Sequence, residues 1–387
     1  MMLICYYWSK YKEKLMEVKG QCEEQFEPVK ELFKNLHSSG QECGSAFSVY
    51  KDGRPIIDLW SGYVDVNKTK TWKKNTLATV WSTTKGVAAL TCALAVERGL
   101  LDYDEKVSYY WPEFSSNGKE NVTVAMLLSH QAGICGTETK NIDDYYNQEL
   151  MASKLASMTP IWKPGSESGY HSMTFGWLVS ELILRVTGKT LGNYYREEIA
   201  NLADIDFYIG LPEEEDHRAA EMIPIVRDAH QQRPKKTEIQ IASDLGPNLA
   251  VAQNTRAWRE AEIASANGQG SASGLAKLYS LVVTSDLSLK ILKNETISKM
   301  TLSQIQGRDL VLGVVTRWGA GFVMNMHKII YGPEENTFGH SGYGGSCAFG
   351  DPKNNLGIAY VMNKMENNFA ADSRSVTLIN ATYNCLN

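Results

Sequence analysis

The stretch WSTTKGVAAL, residues 81–90, decides how the rest of the sequence is interpreted. Ser82 and Lys85 stand three residues apart, so on a helix their side chains share one face. The residues that follow are mostly apolar as far as Gly99, which predicts a buried helix that begins near Ser82. A lysine is costly to bury in such a helix unless something compensates. The spacing therefore suggests that Lys85 has a chemical task.

That task is the activation of a nucleophile. A serine hydroxyl is a poor nucleophile until a neighbour removes its proton, and lysine removes it only when neutral. The lysine pKa must then fall from about 10.4 through burial or nearby positive charge. A helix N-terminus supplies free N–H groups, and the amide of Ser82 itself could face an oxyanion. The simpler alternative is a serine cap beside a lysine that reaches solvent. The Ser-x-x-Lys pattern also occurs at Ser9, Ser48 and Ser116, but only Ser82 opens a long apolar helix.

Two further segments favour the catalytic interpretation. Tyr170 and Ser172 follow the turn WKPGSES, residues 162–168, at a junction between a loop and a helix. A tyrosine beside a lysine can relay a proton between nucleophile and leaving group. His340-Ser341-Gly342 opens a predicted strand near the other end of the chain. Small residues at such a place let backbone N–H groups approach a substrate closely.

In this order, the motifs Ser-x-x-Lys, Tyr-x-Ser and His-Ser-Gly resemble those of the serine beta-lactamase and penicillin-binding superfamily. The resemblance is closest to the class C beta-lactamases, the family VIII carboxylesterases and the lactamase-like proteins of animals. It extends from about residue 40 to residue 385. The supporting stretches are YKDGRPIIDLWSGYVD (50–65), GLLDYDEKVS (99–108), VTVAMLLSHQAGI (122–134), GLPEEEDHRAAE (210–221), GQGSASGLAKLY (268–279) and GHSGYGGSCAFGDPKNNLGIAYVMN (339–363).

The resemblance implies a role for each motif residue. Ser82 would form the acyl-enzyme, while Lys85 and Tyr170 share general-base and general-acid work. Ser172 would orient Lys85 and the substrate. The backbone amides of Ser82 and Tyr343 would form the oxyanion hole. The substrate-binding residues implied are Ser172, His340, Gly342 and Tyr343. His130 suggests a Ser/His pair as an alternative catalytic arrangement. The resemblance implies instead that His130 is a structural residue.

The third motif departs from that of true beta-lactamases. There the motif is usually Lys-Thr/Ser-Gly, and its lysine attracts the substrate carboxylate. Here the position is His340, which is mostly neutral at pH 7 with an ordinary pKa of about 6.5. A neutral imidazole binds a penicillin carboxylate poorly but tolerates an uncharged ester or amide. We therefore expect esterase or peptidase-like activity, with weak or no beta-lactamase activity.

Strand patterns occur at both ends of the chain, and helical patterns fill the middle. Asp52-Gly53 between two apolar runs is a strong hairpin signal. We expect an α/β (α+β) beta-lactamase-like fold, with an antiparallel sheet built from both ends, flanked by helices. The predicted division is a helical lead-in at 1–38 and a single domain at 39–387. Within the domain, the predicted subdomains are a sheet subdomain at 39–100 and 271–387 and a mainly helical one at 101–270.

Composition and charge exclude several classes of function. Of the 387 residues, 43% are hydrophobic and 21% charged, and the net charge of −5 offers no basic patch for nucleic acid. Seven cysteines without a CxxC pair argue against a disulfide framework or a zinc site. No phosphate loop or metal cluster is evident, so no cofactor is expected. The N-terminus lacks a secretory pattern or a membrane span, which favours the cytoplasm.

Three functions are therefore weighed. The leading one is a serine hydrolase that acts on small esters or amides through an acyl-enzyme on Ser82. The first alternative is an acyltransferase, in which an alcohol or amine replaces water in the second step. The second is a non-catalytic scaffold that forms filaments, against which the complete catalytic motifs argue. The sequence leaves the oligomeric state open.

Overall fold

The structure of the protein is a computed structural model that describes residues 17–225, 235–367 and 372–386. Its strands are β1 (Lys19–Cys22), β2 (Gly44–Lys51), β3 (Arg54–Gly62), β4 (Ala78–Thr79), β5 (Phe207–Tyr208), β6 (Gln269–Gly270), β7 (Ile305–Arg308), β8 (Val315–Trp318), β9 (Val323–Met324), β10 (Phe338–Ser341), β11 (Cys347–Asp351) and β12 (Leu356–Met362). Its α-helices are α1 (Glu27–Ser38), α2 (Thr83–Glu97), α3 (Val107–Tyr110), α4 (Val124–Leu128), α5 (Ile142–Tyr145), α6 (Gln148–Ser157), α7 (Thr174–Thr187), α8 (Leu191–Tyr195), α9 (Asn201–Ala203), α10 (Glu238–Ser243), α11 (Arg256–Glu260), α12 (Ala272–Val283), α13 (Asn294–Thr301) and α14 (Ser373–Leu386).

Nine strands form one antiparallel sheet in the order β1-β3-β2-β12-β11-β10-β9-β8-β7. Eight of them come from 39–100 and 271–387, so the two ends of the chain meet in the sheet at β2 and β12. Helix α12 packs against β2, β11 and β12, and α1 packs against α14 and β3. The prediction of an antiparallel sheet built from both ends and flanked by helices is confirmed.

The hairpin between β2 and β3 forms where Asp52-Gly53 predicts it. Both residues have a positive φ, 46° at Asp52 and 75° at Gly53. This is the conformation that a two-residue turn needs to match the twist of its strands. The buried residues on the two strands, among them Phe47 and Ile57, join the main core.

The lead-in contains a strand as well as the expected helix. Residues 19–22 form β1 and pair with β3, whereas the apolar spacing of 10–37 predicts a helix there. Gly20 has φ 108° and lies so close to the Asp58 carbonyl that a side chain has no room. The conformation of this segment is therefore determined by pairing with the open sheet edge at β3, and not by its helical periodicity. Helix α1 follows as predicted, while residues 1–16 of the lead-in lie outside the described residues. The division at residue 38 stays a prediction.

A second departure lies between β9 and β10. The stretch HKIIYG, residues 327–332, predicts a strand but forms consecutive turns. The Asn325 amide nitrogen donates to the carbonyls of Gly332 and Glu334, at 2.8 and 2.9 Å. These side-chain bonds satisfy backbone groups that a strand would pair with its neighbour.

Among the described residues of 101–270, most of the regular structure is helical, and the division into subdomains stays a prediction. Strands β5 and β6 are two residues long each and join β4 in a small separate sheet. Helix α2 runs between this helical region and the main sheet, packing against α7 and β10, and its residues 83–95 are all buried. Among the described residues, no helix has both the length and the apolar character to cross a membrane.

Candidate active site

The N-terminus of α2 forms the centre of the site. Trp81 precedes it in a left-handed conformation, with φ 48°, which costs free energy in a bulky residue and is typical of functional positions. Ser82 caps the helix and is 8% exposed. In the described part of the chain, no group accepts a hydrogen bond from the Ser82 N–H. This amide can therefore donate to a bound oxyanion, and its role in an oxyanion hole stays a prediction.

Lys85 lies one turn further along α2 and is completely buried. Its Nζ is 3.2 Å from Ser82 Oγ, 2.7 Å from the Ser172 carbonyl oxygen and 2.9 Å from the Ser265 carbonyl oxygen. Burial lowers its pKa well below the ordinary value, and among the described residues no carboxylate offsets this. This shift favours the uncharged amine, the state that a general base requires.

Tyr170 reaches the same point from the loop before α7. Its ring centroid lies 4.7 Å from Lys85 Nζ. Burial raises the pKa of its hydroxyl, and a hydrogen bond with Ser82 offsets this in part. The phenol therefore stays protonated near neutral pH. The motif residues Ser82, Lys85 and Tyr170, which are 88 positions apart at most, meet in one cluster.

Ser172 contributes to this cluster through its backbone. Its carbonyl oxygen, rather than the predicted side chain, accepts the hydrogen bond from Lys85. The carbonyl can only accept, so it orients the amine without exchanging protons with it. The hydroxyl of Ser172 is half-buried at the same place, and its contact with substrate stays a prediction.

His340 lies within β10 rather than at the start of a strand. Its Nδ1 donates to the Ser341 carbonyl oxygen at 2.8 Å, which leaves Nε2 as an acceptor. Burial lowers its pKa to about 3, with a smaller contribution from Lys85. The ring stacks beside Tyr170, with centroids 6.0 Å apart. His340 is therefore uncharged near pH 7, whereas its ordinary pKa predicts only that it is mostly neutral.

Gly342 and Tyr343 begin the loop that joins β10 to β11. A side chain at Gly342 would collide with the Val80 carbonyl and with Ser346. The Ser346 hydroxyl bonds the Val80 carbonyl at 2.7 Å and Thr83 Oγ1 at 3.0 Å. These contacts hold the loop against the N-terminus of α2. The amide of Tyr343 thus belongs to a segment that is fixed beside Ser82.

Sequence reasoning missed the residues that hold Tyr170. Buried Asp309 accepts from the Tyr170 N–H at 3.0 Å and from the Trp318 indole at 3.3 Å. His130 accepts from the His171 N–H at 3.2 Å through Nδ1, and its ring packs edge-on against Tyr170. This is the structural role that the resemblance implies for His130. Asp309 is over 100 positions from Tyr170, and no local pattern in the sequence marks it.

An apolar cavity of about 470 Å³ opens beside the cluster. Tyr170 and His340 form its inner wall, together with Trp318. The rest of its lining includes Leu312, Val314, Val315, Val323, Met324, Met326, Ile329, Ile330 and Tyr331. A site of this size and polarity accommodates an apolar group of a small organic molecule.

Comparisons with known proteins show the family of the chain. The family model described as beta-lactamase matches residues 29–381. The esterase/beta-lactamase LipL of Mycobacterium tuberculosis is 30% identical over 362 residues, which are 89% of this chain and 83% of that protein.

Solved structures show the same likeness. A family VIII carboxylesterase superimposes with a TM-score of 0.90 at 39% identity, over 95% of this chain and 100% of that one. A penicillin-binding protein homologue from Caulobacter crescentus superimposes with a TM-score of 0.89 at 38% identity, with the same coverage. The enzymatic class that these relatives support is that of serine hydrolases. Over most of its length, the chain belongs to the beta-lactamase family.

Proposed function

We propose that the protein hydrolyses small, uncharged, apolar carboxylic esters through an acyl-enzyme on Ser82. The observation that carries the proposal is the set of three neighbours around Lys85 Nζ. A neutral amine has two N–H donors and one lone pair. Two of the neighbours are carbonyl oxygens, which only accept, so they take both N–H groups. The lone pair then faces the Ser82 hydroxyl and removes its proton.

The reaction follows from this arrangement. Lys85 takes the proton of Ser82, and Oγ attacks the ester carbonyl carbon. The oxyanion that forms is stabilised by the amides of Ser82 and Tyr343. Tyr170 gives its proton to the departing alcohol oxygen and regains one from the Lys85 ammonium. In the second half, water attacks the acyl-enzyme as the same groups move protons in reverse.

The charge of the site favours uncharged substrates. His340 stays neutral because burial lowers its pKa to about 3. Burial lowers the pKa of Lys85 too, which favours its neutral form. Neither group therefore offers a fixed positive charge to a carboxylate, which a penicillin carries and a simple ester lacks. This supports an esterase over a beta-lactamase.

The apolar cavity indicates what the ester carries. It is lined by Tyr170, which protonates the leaving oxygen, and not by Ser82 or Tyr343. A group that fills it is therefore attached to the leaving oxygen. We infer that the alcohol half of the ester is apolar.

The test is a fluorophosphonate label followed by peptide mapping, together with turnover of a short aryl ester. We expect the label on Ser82, and no label and no turnover above background in Ser82→Ala. The matched control is Ser116→Ala, which alters a second Ser-x-x-Lys serine far from the site and should keep full activity. Labelling of another serine, or undiminished turnover in Ser82→Ala, would refute the proposal.

Two statements beyond this stay predictions. Acyl transfer to an alcohol would pass through the same acyl-enzyme and is the alternative to hydrolysis. The cytoplasmic location is the other.

A further inference from the structure

Arg374, the second residue of α14, is buried and uses all five of its N–H groups. Nε and Nη2 donate to the two oxygens of Asp372, at 2.9 and 2.8 Å. Nη1 donates to Glu42 Oε2 at 3.2 Å and to the Lys364 carbonyl at 2.9 Å. The second hydrogen of Nη2 goes to the Gly344 carbonyl at 3.0 Å. With no donor left over, this arginine is a fixed structural element rather than a ligand for substrate.

The bond to Gly344 reaches the loop that carries the Tyr343 amide. In this loop the Gly345 N–H donates to the Gly342 carbonyl at 3.1 Å, which closes a tight turn. Gly344 and Gly345 have φ values of 95° and 127°, conformations that glycine adopts and leaves easily. The Gly342 carbonyl and the Tyr343 N–H belong to one peptide plane. A rotation at the two glycines that breaks the Gly345–Gly342 bond would therefore free this peptide, and with it the Tyr343 N–H, to change its orientation.

The geometry points to Arg374 as the positioning residue of the oxyanion hole. The Gly344 carbonyl accepts hydrogen bonds from Arg374 and from the Glu366 N–H, each at 3.0 Å. These two bonds hold the flexible turn in place. Asp372 fixes the plane of the guanidinium with two bonds, to Nε and Nη2. Charge-assisted bonds in a buried setting are strong and directional. The inference rests on the proposed function, because it requires that Tyr343 binds the oxyanion.

A first test is Arg374→Lys, which keeps the positive charge but has three donors and no planar fork. Three donors on one nitrogen cannot replace the five hydrogen bonds that the Arg374 side chain makes. Loss of a whole oxyanion donor costs about 10²–10³ in kcat, so a loosened donor should cost about tenfold. We expect kcat for an aryl ester to fall about tenfold while KM changes less than threefold. The decrease of kcat/KM at low pH should occur at the same pH as in wild type, because protonation of Lys85 causes it.

A second readout separates this role from general destabilisation. In a thionoester, sulfur replaces the carbonyl oxygen and fits a hole built for oxygen poorly. We expect the ratio of kcat/KM between ester and thionoester to fall about tenfold in Arg374→Lys, because a loosened hole discriminates less. Glu42→Gln is the matched control. It changes the acceptor of Nη1 and leaves the Nη2 bond to Gly344 in place, so it should keep the ratio.

If Arg374→Lys does not fold, Asp372→Asn carries the test, since it keeps the guanidinium and weakens its bidentate partner. It should lower the ratio while Glu42→Gln does not. If Arg374→Lys or Asp372→Asn folds and keeps the wild-type ratio, the inference about Arg374 is wrong and the proposed function is unaffected. Wild-type protein without turnover that depends on Ser82 would overturn the proposed function, and this inference with it.

Discussion

Lys85 Nζ lies 3.2 Å from Ser82 Oγ inside a cage that contains two backbone carbonyls. The carbonyls of Ser172 and Ser265 satisfy the amine without charging it. Burial lowers the pKa of Lys85. The two carbonyls occupy the N–H groups of the neutral amine, so its lone pair points towards Ser82 Oγ.

This relationship predicts the pH dependence of activity. The lysine is the base only while it is neutral, so kcat/KM should fall as the pH falls through its lowered pKa. Above that pKa the rate should be level. The rate of inactivation by a fluorophosphonate, measured across pH, should show the same single acid limb. Tyr170→Phe should slow the reaction and keep the limb at the same pH, whereas Lys85→Ala should lose it. A limb that persists in Lys85→Ala would assign the base to another group.

Tyr170 should matter most for leaving groups that need a proton. Tyr170→Phe keeps the ring that packs on His130 and Trp318 and removes only the hydroxyl. For an alkyl ester we expect kcat to drop about 10²-fold or more, the usual scale for general acid catalysis. For a p-nitrophenyl ester the loss should be much smaller, because p-nitrophenolate departs without protonation. Equal losses for the two esters would contradict the role of Tyr170 as the acid.

The double variant Lys85→Ala with Tyr170→Phe extends this test. Residues that act as one unit are far from additive. The double variant should therefore be little worse than Lys85→Ala alone when an alkyl ester is the substrate.

His37 predicts a loss of stability in acid. It lies in the last turn of α1 and bonds Ser45 on β2 at 3.0 Å, and burial lowers its pKa to about 3. Below about pH 6.5, His37 is protonated in the unfolded chain but stays neutral in the folded protein. The free energy of unfolding therefore decreases as the pH falls below about 6.5 and is constant above it. Between pH 7.5 and pH 5, wild type should lose about 2 kcal/mol more free energy of unfolding than His37→Gln.

Urea denaturation at the two pH values measures this difference. His217→Gln, at an exposed position, is the control and should lose as much as wild type. If His37→Gln loses as much as wild type too, His37 does not bind a proton on unfolding in this range.

The parts of the fold that sequence predicts are those that local patterns determine. Asp52-Gly53 fixes the hairpin, and the apolar run after Ser82 fixes α2. Local patterns fail where distant partners decide. The segment at 19–22 becomes a strand because the β3 edge is open to it, and the one at 327–332 becomes turns because the Asn325 side chain bonds its backbone.

The site divides in the same way. Ser82, Lys85 and Tyr170 carry their chemistry in their side chains, so spacing and residue type indicate them. The groups that tune them act through the backbone or across long separations. The Ser265 carbonyl, 180 positions from Lys85, has no signature in its residue type. Asp309 and Arg374 are ordinary charged residues until the fold encloses them.

His340 should control the choice between esters and carboxylate-bearing beta-lactams. His340→Lys introduces a charge where wild type has a neutral ring, and a charged partner for a desolvated carboxylate is valuable. The ratio of kcat/KM for nitrocefin to that for an aryl ester should rise about 10²-fold. His340→Gln, which stays neutral, is the control and should leave the ratio near that of wild type. A wild-type preference for nitrocefin, or an unmoved ratio in His340→Lys, would remove His340 from this role.

The apolar cavity should make the enzyme sensitive to the alcohol half of its substrate. In a series of acetate esters with alcohols from methyl to hexyl, each methylene that enters the cavity contributes about 0.8 kcal/mol, which is roughly fourfold in kcat/KM. Lengthening the acyl half of methyl esters should yield a smaller gain, because Ser82 does not line the cavity.

Val323→Phe, on β9, narrows the cavity and should flatten the alcohol series while methyl acetate turns over as before. Leu302→Phe is the matched control, since Leu302 is 64% exposed and lies outside the lining. It should keep the wild-type slope. A slope that follows the acyl chain instead, or one that survives Val323→Phe unchanged, would place the apolar group of the substrate elsewhere.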